Sequence, residues 1–204
     1  MAYSTYMTIY KSTVTGTFTA GDIWNTTFHM TSVNNLATVH SAATTFVNNF
    51  CTGTMNAMWP SDISVTGIMT NQLDPVTGKQ VAQTSSALSQ TGTGAGGKPS
   101  PRDCLLLSLR TALPQKSGRG RMFWPSPDAS HYTSTGRLVQ ADMTTIVNAV
   151  GPLMTTLAAT APIVIFHRKV LGFDVVIQVK IPDMAQTQRR RTNKDPLVYA
   201  AHVV

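Results

Sequence analysis

One stretch of this chain changes hydrophobic period, and that change constrains the fold more than any other feature. From Asp22 to Met30 the residues alternate, with Trp24, Thr26, Phe28 and Met30 on one face. Successive strand residues point to opposite sides, so the alternation predicts a strand with one buried face. Directly afterwards Val33, Leu36, Ala37, His40, Ala43, Val47 and Phe50 recur at helical spacing. They form one apolar stripe of an amphipathic helix, with Ser32 as the expected N-cap. Strand and helix follow one another with almost no linker, so the helix must lie close to a sheet.

The same two periods organise the rest. Tyr3–Tyr10, Val14–Phe18, Ile63–Met69, Lys79–Thr84 and Met122–Trp124 read as strands. Asp74-Pro75-Val76-Thr77-Gly78 reads as the turn between two of them. Cys104–Leu109 is a continuous apolar run, as expected of a central strand. Val139–Leu157 keeps helical spacing, with a kink expected at Pro152. Ile163–Arg168 and Phe173–Ile181 read as a hairpin. Ser85–Pro101 is rich in Ser, Thr and Gly, which predicts a flexible surface loop. Residues 183–204 read as a polar C-terminal tail closing on the apolar stretch Leu197–Val204.

Composition agrees with a strand-rich chain. All nine acidic residues are aspartate, and about thirty of the 204 residues are threonine. Glu, Lys and Ala favour surface helices, whereas Thr favours strands. Strands and helices do not alternate regularly, which argues against a parallel α/β sheet. The expected fold is α+β, a mainly antiparallel β-sheet with two amphipathic helices, in a single domain over residues 1–204. A jelly-roll β-sandwich with helical insertions is the alternative.

Charge is scarce and unevenly placed. Charged residues are 12% of the chain against 42% hydrophobic. A surface so poor in charge is expected to be covered in part by other chains. Residues 1–97 sum to −1 and residues 98–204 to +8, giving the net +7. Such asymmetry points to a face or tail that meets a polyanion. No apolar run reaches the ~18–20 residues of a membrane span, so no membrane partner is expected.

Little in the sequence points to catalysis. Gly92-Thr93-Gly94-Ala95-Gly96-Gly97-Lys98-Pro99 approaches a phosphate-binding loop, but Pro99 stands where the Mg²⁺-binding hydroxyl belongs. The five histidines are scattered, and Cys51 and Cys104 form no C-x-x-C pair, so no metal or cofactor is expected. His40, on the apolar stripe, reads as a hydrogen-bonded core residue. No nucleophile motif stands out. Without glutamate, half the usual carboxylate acid–base repertoire is missing. The chain is not expected to be an enzyme.

The basic segments carry more. Arg110, Lys116, Arg119 and Arg121 lead into Phe123 and Trp124. Guanidinium groups can clamp phosphates or carboxylates, and the aromatic rings could stack on bases. The alternative is a tight hairpin whose arginines pair with aspartates across an interface. Arg189, Arg190 and Arg191, with Lys194, form a second candidate, because adjacent arginines repel one another unless an anion neutralises them.

Two stretches also resemble the short structural proteins of small viruses and phages. They are Leu109-Arg110-Thr111 through Ser117-Gly118-Arg119-Gly120-Arg121-Met122-Phe123-Trp124-Pro125, and Gln186-Thr187-Gln188-Arg189-Arg190-Arg191. The resemblance covers about a third of residues 104–194. It implies a self-assembling capsid (coat) protein of the virion, with copies of itself and viral nucleic acid as partners. A phage tail or head accessory protein, or a nucleic-acid-binding module, are the alternatives. Many small-virus coats carry a long basic N-terminal arm; residues 1–97 hold only Lys11 and Lys79 as Lys or Arg, so the arginines named above, or another protein, are expected to meet a genome.

Overall fold

The computed structural model describes residues 4–14, 23–95, 103–111, 120–134, 138–165, 168–179 and 201–202. The fold is α+β, built on antiparallel sheets, with two long helices. One sheet has four strands in the order β2-β1-β3-β4: β1 Ser4–Val14, β2 Ile23–Ser32, β3 Ile63–Leu73 and β4 Gln80–Thr91. The other runs β6-β5-β8-β7: β5 Asp103–Thr111, β6 Gly120–Pro125, β7 Val164–Ile165 and β8 Arg168–Val179. A short strand, β9 (Ala201–His202), pairs with β8 beside Gly172 and Phe173. β2 lies beside β6, and a bridge from Met30 to Ile163 ties it to the chain entering β7.

The four-stranded sheet is open, with one face covered. Tyr6, Thr8 and Tyr10 of β1 and Ile68 and Thr70 of β3 are buried beneath α1 (Leu36–Phe50), which presents Val39, His40, Ala43, Phe46, Val47 and Phe50. The second long helix, α3 (Gln140–Thr160), buries Met143, Ile146, Val150, Met154 and Leu157 in the same core. Leu105, Leu107 and Leu109 of β5, Met122 and Trp124 of β6, and Phe173 of β8 complete it. In β1 buried Tyr6, Thr8 and Tyr10 alternate with half-buried neighbours, because one face of the strand lies on this core.

The start of α1 differs from the sequence expectation. Asn35 is the N-cap, its side chain accepting from the Thr38 N–H at 2.9 Å. Ser32 serves the other helix: its hydroxyl donates to the Thr160 carbonyl at 2.7 Å, where α3 ends. Asn34 Nδ2 donates to the same oxygen at 3.0 Å. Val33, placed on the stripe by spacing, lies before the helix and is 48% exposed. At its far end α1 widens into a π-turn, Cys51–Met55, and continues as the short α2, Asn56–Met58. α3 continues past Pro152 to Thr160. Among the described residues, no helix is long and apolar enough to cross a membrane.

The predicted loop Ser85–Pro101 needs correction. Residues up to Thr91 belong to strand β4. Gly92–Gly94 then dock on the α2–β3 junction: Gly92 N–H donates to Ile63 O at 2.9 Å and Gly94 N–H to Trp59 O at 2.8 Å. A Cβ at Gly92 would lie 2.2 Å from the Pro60 carbonyl oxygen and 2.4 Å from that of Trp59. Glycine stands there for close backbone approach, not for flexibility. The remainder of the predicted loop, residues 96–101, lies outside the described residues.

Candidate functional site

Pairing in the second sheet gathers basic positions at one end. β5 finishes at Arg110-Thr111, β6 begins at Gly120-Arg121, and β8 begins at Arg168-Lys169. Arg121 stands opposite Ser108, and Ser108 opposite Asp174. Arg110 stands opposite Gly172, and Thr111 opposite Val170. Two of the predicted contact residues, Arg110 and Arg121, thus share a sheet end with Arg168 and Lys169, which the sequence does not single out. Asp174 is the acidic position nearest in register, while Asp103 sits at the opposite end of β5, paired with Val179. The signal that could have found the two additional cations is the strand register, which brings the start of β8 back beside the end of β5.

Trp124 is elsewhere. It is fully buried, stacked on Tyr10 with ring centroids 4.2 Å apart and edge-on to Phe50 at 4.8 Å. In this fold the indole is a core group, and stacking on a base is closed to it. The alternation of β6 explains the correction: Trp124 and Met122 oppose Leu105 and Leu107, all of them buried. Lys116, Arg119, Arg189, Arg190, Arg191 and Lys194 lie outside the described residues.

The four-stranded sheet is the electrostatic opposite. Among its strand residues Lys11 is the single Lys, Arg, Asp or Glu. Its outer edge, β4, is twelve residues long and holds neither charge nor proline. Val81, Gln83, Ser85, Ala87, Ser89 and Thr91 are exposed along it, alternating with half-buried residues.

A hydrogen-bonded row locks β4 to the core. His40 Nε2 lies 2.8 Å from Ser86 Oγ, and His40 Nδ1 lies 3.0 Å from Thr70 Oγ1. Thr70 Oγ1 continues to Thr8 Oγ1 at 3.1 Å. Burial lowers the His40 pKa, so the neutral ring is favoured. Both ring nitrogens are engaged, which makes His40 the core residue its position on the helical stripe predicts. A second pair is invisible in sequence: His131 Nδ1 sits 3.0 Å from Asp142 Oδ2 in the first turn of α3. His131 O also accepts from the Val139 N–H at 2.8 Å, so the pair seals the helix start. Among the described residues no group of three or more His, Cys, Asp or Glu gathers to hold a metal.

Trp59 joins the two halves at one point. Its indole Nε1 donates to Pro125 O at 2.9 Å, at the end of β6. Its own carbonyl accepts from Gly94, just beyond β4.

Comparison of the chain with family models, curated proteins and solved structures finds no match.

Proposed function

We propose that this chain is a self-assembling structural subunit of a virus or phage particle, a capsid (coat) protein. The observation that carries the reading is the division of charge between the two sheets. A shell subunit needs one surface that tolerates copies of itself and another that tolerates a polyanion. The four-stranded sheet suits the first: Lys11 is the lone charge of its strands, and among the described residues no further strand pairs with its edge β4. The end of the second sheet that collects Arg110, Arg121, Arg168 and Lys169 suits the second. Open edges with free peptide groups invite pairing, and monomeric proteins commonly protect them with Lys, Pro, β-bulges or a covering element. β4 has neither Lys nor Pro, and its register against β3 stays regular from Ala82 to Ala87, with one extra residue at Val81 and another at Leu88–Ser89.

Assembly of the purified protein tests this. Light scattering and negative-stain microscopy at physiological salt should show regular multimers. A stable 22.0 kDa monomer at micromolar concentration overturns the reading.

A further inference from the structure

We infer that β4 is the contact between subunits, pairing antiparallel with β4 of a second copy about a two-fold axis perpendicular to the sheet. The inference rests on the assembly proposed above and names its surface and partner. Three observations select a copy of this chain as the occupant.

The first is electrostatic. Each chain carries a net charge of +7, so two copies repel unless they meet where cations are absent. β4 is uncharged along its whole length and is the edge of the sheet whose strands carry the fewest charges. An acidic partner would gain nothing there and would be drawn to the second sheet.

The second is parity. Residues directly opposite in an antiparallel pair share a face. A perpendicular two-fold continues both faces of the sheet only if odd residues of β4 oppose odd ones and even oppose even. The unbroken alternation of exposed and half-buried residues from Val81 to Thr91 satisfies this in both copies at once.

The third is fit. Centring the axis on Ser86 sets Ser85 against Ala87 and Gln83 against Ser89 of the copy, all small or uncharged. Carried past the register irregularities of β4 at Val81 and Leu88–Ser89, the same spacing brings Val81, which is 61% exposed, towards Thr91, a β-branched partner for the large apolar side chain on this edge. Centring on Ser85 gives similar overlap but leaves Val81 opposite Ser89. The row from His40 through Ser86 holds the strand in place before the copy arrives, which lowers the ordering needed on pairing.

Paired charge substitutions test the register. Ser85→Lys with Ala87→Lys puts like charges opposite one another across the axis. Ser85→Glu with Ala87→Lys puts opposite charges there. Ser85 and Ala87 are exposed in each copy and face away from α1, and circular dichroism verifies that each variant folds. The lysine pair should shift the light-scattering mass to smaller species, and the glutamate–lysine pair should restore the wild-type mass. Wild-type mass in both variants overturns β4 as the contact. Small species in both overturns the Ser86-centred pairing. A wild-type protein that is already monomeric defeats the assembly reading itself, so the two failures are distinct.

Discussion

The Tyr10 ring lies over that of Trp124 at 4.2 Å between centroids and 28° between planes, and this contact joins the four-stranded sheet to the second one. Phe50 from α1 and Trp59 from the α2–β3 junction close around the same indole. Trp124→Ala should therefore cost ~3–5 kcal/mol, the usual range for deleting a large buried aromatic. Trp124→Phe should cost less than Trp124→Ala, since it keeps a ring against Tyr10 and Phe50, and the indole N–H finds no acceptor among the described residues, so its loss leaves nothing newly unpaired. Urea denaturation of the two variants measures both. Equal losses would show that a phenyl ring does not keep the packing around Tyr10 and Phe50.

Two glycines give opposite forecasts. Gly92→Ala drives a methyl into the Trp59 and Pro60 carbonyls and should destabilise by at least the upper end of the ~1–3 kcal/mol typical of overpacking. Gly53 lies in the π-turn, and a Cβ placed there would meet nothing within 4 Å. Gly53→Ala should be neutral or should stabilise by up to ~1 kcal/mol. Thermal melts of the pair would show whether close approach, and not flexibility, selects Gly92.

Stability should depend on pH through His40. Its pKa in the fold lies below the ordinary value of 6.5. The unfolded chain then binds more protons than the folded one as pH falls below about 6.5, so stability is full above that value and declines beneath it. His40→Gln should flatten the slope of unfolding free energy between pH 7 and 5. His29 is displaced in the same direction by desolvation although its side chain is exposed, so His29→Gln serves as the companion variant. A slope that His40→Gln leaves unchanged would refute the buried neutral ring.

Charge replacement separates polyanion contact from subunit pairing. Changing Arg189, Arg190 and Arg191 to Gln should weaken binding of a mixed-sequence single-stranded oligonucleotide and make the salt slope shallower by up to roughly 2–3 units. Changing Arg110, Arg121, Arg168 and Lys169 to Gln should act in the same direction. Folding should shift by about 0.5 kcal/mol or less if the side chains are exposed. Lost assembly with unchanged oligonucleotide affinity would instead place these arginines against aspartates of a neighbour.

Much of the architecture is legible because burial on one face writes a period into the chain. The α1 stripe and the alternation of β1 show it, while the apolar run of β5 marks a strand inside the sheet. Ser85–Thr91 does not, because on its covered face Leu88 is flanked by Ser86 and Gln90, which meet α1 through His40 and Asn48. The period is present in exposure but absent from hydropathy. The N-cap of α1 is hidden for a related reason: Ser32 and Asn35 are both good caps, and the choice depends on Thr160, far away in sequence. Trp124 beside Arg121 looks like a stacking residue locally, and only Tyr10 and Phe50 reveal it as core. The basic end of the second sheet is half legible, since Arg110 and Arg121 flank one connection while Arg168 and Lys169 arrive through strand order.

The two hydrogen bonds of Trp59 have a mechanical consequence. Its carbonyl holds the chain leaving β4 at 2.8 Å, and its indole holds the end of β6 at 2.9 Å. A sideways load on the outer edge strand therefore reaches the other sheet through one rigid, buried side chain. The sheets cannot slide past each other there without breaking one of those bonds, so the fold bears shear as a single plate.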